Sequence, residues 1–296
     1  MKRIIRVGSR DSKLAVAQTE LLMNTIRAHH PEIELELITM KTTGDLILDR
    51  NLDQIGGKGL FVKELDKGLR DGTIDISVHS LKDMPMDTPQ DIPIVAFSDR
   101  EDPFDALVLP EGMTQIDFSK PFGCSSARRR LQLENIYPQV TVTGIRGNVL
   151  LRLQKVDSGS YAATVLACAG LNRIGMRSRI TKIFTEQEMI PAAGQGILAV
   201  QGRAGEDHGY LDCINNPASA CAATAERAFV RGMNGDCSSP IAAYAKIQHE
   251  RMKLIAFYCD EKKNIQLTEQ FEGSVSDAES IGIQLAELIT NKIEKG

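Results

Sequence analysis

Along the first two-thirds of the chain, short apolar runs alternate with longer amphipathic segments, so periods near 2 and near 3.6 take turns. IIRV near the N-terminus reads as a strand. Residues 12–30 then read as a helix, with Leu14, Val16, Ala17, Leu21 and Leu22 expected on its buried side. IELELIT alternates as a strand, and LFVKELDKGLRDG reads as a helix stopped by Gly72. IDISV and IPIVAF follow as strands. After Arg100 the pattern restarts, with ALVL, VTVTGI and AATVLA as strands, and SSARRRLQLENI and NVLLRLQKVDSG as helices between them.

Two rounds of β/α alternation imply an α/β fold of two doubly wound lobes with mainly parallel sheets. The architecture resembles that of type II periplasmic binding proteins. Ile197–Val200 is a single apolar run that starts no third round, so the chain is expected to return there to its first lobe. From Pro217 the pattern changes to a helix (ASACAATAERAFVRGM), three strand-like runs (IAAYAKI, KLIAFY, IQLTEQF) and a helix from about Ser276, a small α+β unit. The expected division is 1–97 with 196–214 as a discontinuous first lobe, 98–195 as the second, and 215–296 as a C-terminal domain.

Composition narrows the function without deciding it. The 296 residues are 42% hydrophobic and 25% charged, ordinary for a globular protein with proper cores. A net charge of −4 argues against nucleic-acid binding through overall positive charge, while leaving room for a local basic cleft. MKRIIRVGSRDSK lacks a signal-peptide core, and no apolar run approaches a membrane span, so a cytoplasmic protein with no membrane partner is expected. The six cysteines show no C-x-x-C pair and no zinc-finger spacing with the five histidines, so free thiols and no metal site are expected.

The positive charge is concentrated where strands hand over to helices. V-G-S-R-D-S, G-C-S-S-A-R-R-R and G-I-R-G-N stand at three such junctions and carry Arg10, Arg128, Arg129 and Arg146. In open α/β sheets ligands bind beyond the carboxyl ends of strands, where helix N-termini and guanidinium forks suit anions. G-G-K-G-L-F adds Lys58 but has neither P-loop spacing nor a following Ser/Thr, and no strand is followed by G-x-G-x-x-G. Anion binding without a nucleotide fingerprint favours a ligand with several carboxylates. H-S-L-K-D places Ser80, Lys82 and Asp83 at the end of IDISV, with Asp83 the one carboxylate there and a candidate for proton transfer or for stabilising a cation. A turn or cap role is the plainer alternative for Asp83, and a satisfied core position is expected for His79. In N-G-D-C-S-S-P, Cys237 sits among residues that all favour turns, where a structural cysteine has no reason to be; either its place is accidental or the loop presents it.

The segments GSRDSKLA, TTGDLILD, GGKGLFVKEL, DISVHSLKDMP, REDPFDAL, SSARRR, RGNV, LACAGLNRIG, PAAGQG, TAERAF and the NGDC loop followed by PIAAYA resemble, in order, those of the hydroxymethylbilane synthase (porphobilinogen deaminase) family. They run from residue 8 to about 245; the C-terminal strands and helix match in pattern only. The resemblance implies a monomeric transferase of tetrapyrrole and heme biosynthesis. It joins four porphobilinogen molecules head to tail into linear hydroxymethylbilane, releases ammonia at each step, and passes the product to uroporphyrinogen-III synthase. It also implies a dipyrromethane cofactor held by a thioether, which the motif places on Cys237. By matched motif Asp83 is the catalytic carboxylate, and Lys82, Ser126, Arg128, Arg129 and Arg152 are cofactor contacts. Arg10, Ser12, Gln18, Arg146 and Arg173, with Lys58, Ser80, Ser125 and Gln195 in the same lining, are substrate contacts.

Some positions depart from the family pattern. Cys124 stands where Thr is common, Gln54 where Lys is often found, and Asp236 with Ser238 and Ser239 where Gly and Gln-Val are frequent. Cys124 is the competing attachment point, and Asp236 is expected to raise the thiol pKa beside it. Two rival readings remain. One is a two-lobed carboxylate- or effector-binding module without catalysis, which needs neither Asp83 nor the cysteine loop. The other is an enzyme of phosphorylated metabolites, which would carry no covalent adduct on Cys237.

Overall fold

The computed structural model describes residues 4–46, 59, 62–236 and 238–295. Its strands are β1 (Ile4–Arg10), β2 (Glu34–Met40), β3 (Ile76–Ser80), β4 (Ile94–Phe97), β5 (Asp105–Val108), β6 (Phe122–Gly123), β7 (Val142–Thr143), β8 (Ala163–Ala167), β9 (Lys182–Ile183), β10 (Leu198–Gly202), β11 (Ile241–Gln248), β12 (Arg251–Asp260) and β13 (Ile265–Ser274). Its α-helices are α1 (Lys13–His29), α2 (Thr43–Leu46), α3 (Lys63–Arg70), α4 (Ala127–Ile136), α5 (Val149–Asp157), α6 (Cys168–Arg173), α7 (Pro217–Gly232) and α8 (Ala278–Lys295). The chain divides into two compact units, one of residues 1–101 with 197–220 and one of 102–196 with 221–296.

The first unit is built on a five-stranded sheet in the order β2-β1-β3-β10-β4. β1 runs parallel to β2 and β3, while β10 lies antiparallel between β3 and β4. The apolar run at Ile197 thus returns to the first sheet, as its isolation in the sequence implied. Ile5, Val7, Ile76, Val78, Leu198 and Val200 from the sheet pack with Leu22, Met23 and Ile26 of α1. The buried face of α1 is Gln18, Thr19, Leu22, Met23 and Ile26. Leu22 is inside as expected, but Leu21 is 51% exposed, and Leu14, Val16 and Ala17 are only partly covered. The inner stripe follows the spacing 18, 22, 26, about one residue out of phase with the apolar reading, because its first turns carry polar groups inward. Gly72, at φ 67°, ends the α3 segment in the left-handed region open to glycine.

The second sheet has the order β7-β6-β8-β5-β9, with β6 parallel to both β7 and β8 and β5 antiparallel to β8 and β9. Each sheet therefore carries one reversed strand next to its edge. VTVTGI yields a strand of only two residues at the sheet edge. The same unit holds the antiparallel sheet β11-β12-β13, whose last two strands pack on α8. Ala242, Ile255, Phe257 and Cys259 of that sheet meet Leu131 of α4 and Ile190 in one apolar cluster. Arg130 reaches Glu261 at 2.5 Å beside it. Shared apolar burial is why residues 221–296 group with 102–196. The fold is mixed α/β, with two sheet-containing lobes and a small three-stranded sheet with helices.

Candidate functional site

Parallel strands that end side by side place their following residues on one rim. In the first unit that rim collects most of the residues singled out. Arg10 ends β1, and Ser12 caps α1 by accepting the Ala15 amide N–H at 3.3 Å. β3 lies beside β1 and ends in Ser80, whose Oγ donates to Gln18 Oε1 at 3.1 Å. Ser80 opens a single 3₁₀ turn, Leu81–Asp83, in which Leu81 is buried and Lys82 partly so. Burying Leu81 turns Asp83 outward. Its carboxylate is exposed, and no described residue hydrogen-bonds or ion-pairs with it. His79, one strand position earlier, is buried with its Nε2 on Ser77 Oγ at 2.8 Å. Burial, helped by the Arg10 charge, pushes its imidazole down to about 3, so it is a neutral core residue.

Three junctions of the second unit meet in the same way, since β6, β7 and β8 are adjacent and parallel. Ser125 ties two of them together, donating to Ile145 O at 2.8 Å and accepting the Ile145 N–H at 2.9 Å. Ser126 caps α4 through the Arg129 amide, and Asn148 caps α5 through the Leu151 amide. Gly147, at φ 114°, bends the chain between Arg146 and the cap, and its carbonyl accepts from Arg152 Nε at 2.8 Å. Arg173, at the end of α6, donates to Gly196 O at 2.6 Å. Arg146 and Arg152 are partly buried at this rim.

Arg128 and Arg129 take a different direction. They are 4% and 7% exposed, and both turn onto the fully buried Asp105. Arg129 donates to Asp105 Oδ1 through Nε at 3.1 Å and Nη2 at 2.7 Å, and to Val165 O through Nη1 at 3.0 Å. Arg128 Nη1 lies 2.8 Å from Asp105 Oδ2 and donates to Ile190 O at 2.8 Å. Gln195 Nε2 joins the same carboxylate at 2.9 Å, and Pro103 O at 2.7 Å. Two guanidiniums thus share one carboxylate in an interior where charge is costly unless paired. Burial lowers the Arg128 pKa, against the pull of Asp105.

Two acidic residues at the centre of this network were missed by the sequence reading. Asp105 lies in REDPFDAL, a segment quoted for its order alone. Glu226, in TAERAF, is buried and accepts the Gly194 N–H at 2.6 Å and the Ala245 N–H at 2.8 Å, fastening α7 to β11 and to the loop that carries Gln195. The available signal was a carboxylate inside an otherwise apolar run, which must find donors when it is buried.

Lys58, Gln54 and Cys237 lie outside the described residues. On either side of position 237, Asp236 takes hydrogen bonds from the Ser238 N–H at 2.9 Å, Ser238 Oγ at 2.7 Å, the Ser239 N–H at 3.0 Å and Ser239 Oγ at 3.0 Å. Burial works against the charged form, yet these donors hold the carboxyl below its ordinary range. Asp236 and the two serines are thus tied together by hydrogen bonds, which gives these departing residues a structural purpose. Cys124 packs in the core with Leu107, Phe122, Leu133 and Phe184, and burial raises its thiol pKa. A buried, protonated thiol is a poor nucleophile.

Comparison with known proteins matches two family models to this chain. "Porphobilinogen deaminase, dipyromethane cofactor binding domain" covers residues 5–210, and "Porphobilinogen deaminase, C-terminal domain" covers residues 220–291. A porphobilinogen deaminase of Acetivibrio thermocellus is 53% identical over 283 residues, 95% of this chain and 96% of the relative. That of Ruminiclostridium josui is 52% identical over 285 residues, 96% and 97% of the two chains. That of Thiobacillus denitrificans is 40% identical over 287 residues, 96% and 94%. Among solved structures, the BenM effector binding domain with its effector benzoate overlays 72% of this chain and 89% of its own, at 14% identity and a TM-score of 0.41, too low to support an inference.

Proposed function

The chain belongs to the porphobilinogen deaminase family, and we propose that it is a hydroxymethylbilane synthase, a transferase that joins four porphobilinogen molecules and releases ammonia at each step. The observation that carries this reading is Asp83, an exposed carboxylate on a short 3₁₀ turn at the strand-end rim, without a hydrogen-bond or ion-pair partner among the described residues. A fixed negative charge there stabilises the cation that forms as ammonia leaves a pyrrole methylene. At about 4 Å the attraction is about 1 kcal/mol in bulk water and about 4 kcal/mol at an effective dielectric constant of 20. The second value amounts to roughly a thousandfold in rate, so the role depends on excluding water from Asp83.

The donors at each rim suit carboxylates of a dipyrromethane or of the chain grown from it, because each ring carries carboxylates and each rim offers guanidiniums, hydroxyls and helix N-termini. When bound, the dipyrromethane supplies the carbon nucleophile to which the next ring is added. Arg10, Ser12, Gln18, Ser80, Arg146 and Arg173 hold carboxylates of substrate and growing chain, with Lys58, Ser125 and Gln195 in the same lining. Lys82, Ser126 and Arg152 hold those of the cofactor. Arg128 and Arg129 act from the buried Asp105 cluster, which anchors the start of α4 beneath the cofactor contacts. Cys237 carries the thioether, in the domain of residues 215–296. Its sulfur bonds to a substrate methylene as the C–N bond breaks and ammonia departs; condensation of a second unit releases a second ammonia.

Intact-protein mass spectrometry tests the reading. The protein is expected to carry an adduct of two porphobilinogen units less two ammonia, to lose it in Cys237→Ser, and to convert porphobilinogen to hydroxymethylbilane. An active protein without the adduct would overturn the assignment. A monomeric, cytoplasmic enzyme that hands hydroxymethylbilane to uroporphyrinogen-III synthase follows from the same reading. Size-exclusion chromatography with light scattering checks the monomer. Among the described residues no helix is long and apolar enough to cross a membrane.

A further inference from the structure

At the rim of the second unit, the chain around Arg146 is held in an unusual way. β7 pairs with β6 through Val142 and Thr143, so the sheet ladder stops just short of the junction that carries Arg146. Gly144 and Gly147 flank Ile145 and Arg146, and without side chains they leave the backbone there soft. Side chains fix it instead. Tyr161 Oη donates to Gly144 O at 3.0 Å, and Ser125 Oγ to Ile145 O at 2.8 Å. Lys155 Nζ donates to Arg146 O at 2.9 Å, and Arg152 Nε to Gly147 O at 2.8 Å. Four consecutive carbonyls thus accept from four different side chains, which come from the β6 junction, from α5 and from just before β8.

Ser125 and Arg152 already have a place in the ligand lining; Tyr161 and Lys155 have none. The Lys155 ammonium is a cation that could itself meet a carboxylate, yet it is spent on a backbone carbonyl. The Tyr161 ring closes onto β6: a Cβ built on Gly123 would meet Tyr161 Cδ1 and Ile145 Cδ1, each at 3.0 Å, so a glycine there lets both side chains approach. We propose that Tyr161 and Lys155 are positioning residues, which hold the backbone from Gly144 to Arg146 and so fix where the Arg146 guanidinium meets a ligand carboxylate. Each acts through Arg146 and not by touching the ligand. A misplacement of about 1 Å in a binding group can cost about a hundredfold in rate. Loss of one bond out of four loosens the loop without releasing it, so a smaller effect is expected. What Arg146 binds rests on the proposed function; the clamp on its backbone does not.

The test uses the full-length protein. Tyr161→Phe keeps the ring on Gly123 and removes the donor, while Lys155→Met keeps the stem and removes the ammonium. Both bonds are exposed, so each variant is expected to keep its thermal midpoint within about 3 °C of the parent. Hydrogen–deuterium exchange of peptides covering residues 144–148 is expected to be about three- to tenfold faster in both. kcat/KM for porphobilinogen is expected to fall by about five- to twentyfold, and Lys155→Arg, which restores a donor, to recover most of the loss. In an Arg146→Gln background the same substitutions should cost less than about twofold more, because the group they position is gone. Unchanged exchange would overturn the clamp. Faster exchange with unchanged kcat/KM, or an equal loss with and without Arg146, would overturn the positioning role. A parent protein inactive on porphobilinogen would overturn the proposed function instead, and exchange would still decide the clamp.

Discussion

Replacing Asp105 by Asn probes the buried basic pair directly. The carboxylate is fully buried and faces four nitrogens, three of them from Arg128 and Arg129 and one from Gln195. Asn has the same shape but no charge, and its NH2 must point at a guanidinium or at the Gln195 amide, setting donor against donor. Two guanidiniums would then remain in the interior without the carboxylate that both face. Breaking a buried ion pair from one side costs about 3–5 kcal/mol. For a unit of this size about 1 kcal/mol corresponds to roughly 2–4 °C in the midpoint, so a fall of about 6–20 °C is expected. Circular dichroism on heating reads it, and intact mass after incubation with porphobilinogen, well below the lowered midpoint, reads whether the dipyrromethane still loads. A midpoint within about 2 °C of the parent would refute the claim that this cluster is dry and paired. A folded Asp105→Asn protein with normal loading and turnover would leave the cluster a packing role alone.

Three further outcomes are expected. Asp83→Asn should keep the midpoint within about 0.5 kcal/mol, because the carboxylate has no described partner to lose. It should also keep the adduct and lower kcat by about a hundredfold or more; a loss under about fivefold would mean that Asp83 acts through bulk water and not in a sheltered site. Cys124→Ser should retain the full adduct mass, since the thiol it removes is a core group; loss of the adduct would make Cys124 the attachment point. Stability should fall with acid through His79. Its folded pKa of about 3 lies below the ordinary 6.5, so the unfolded chain takes up the proton first. The contribution is whole above the ordinary value and is lost as pH falls toward the folded one. Acid titration of the denaturation midpoint should show a smaller loss in His79→Gln, and an identical loss would exclude the imidazole as its source.

Much of the fold is visible in the chain because period and punctuation agree there. Each apolar run of the first unit that is followed by a polar junction became a strand, and the isolated run at Ile197 returned to the first sheet as a reversed strand. The phase of α1 was harder to read. Leu14, Val16, Ala17, Leu21 and Leu22 are apolar, but the sheet covers the stripe through Gln18, Leu22 and Ile26, and a buried glutamine is invisible until Ser80 is seen to use it. Hydrophobicity marks which residues prefer the interior; it does not mark which polar ones are held there by a partner 62 positions away.

The same limit explains the site. That Arg10, Ser80, Lys82 and Asp83 share one rim was legible because they end or directly follow strands that lie side by side, and topology alone brings such residues together. Arg128 and Arg129 also follow a strand end, yet helical spacing turns them inward, where Asp105 from the reversed strand β5 receives them. A triple arginine in sequence looks like one basic face, but two of its members are buried and the third, Arg130, pairs with Glu134 and Glu261. Arginines near a rim take two forms here: side chains that can meet a carboxylate directly, and side chains turned inward onto a buried acid. The first form can be read from motifs; the second requires knowing which single acid sits among the arginines, which a sequence leaves open until strand order fixes it.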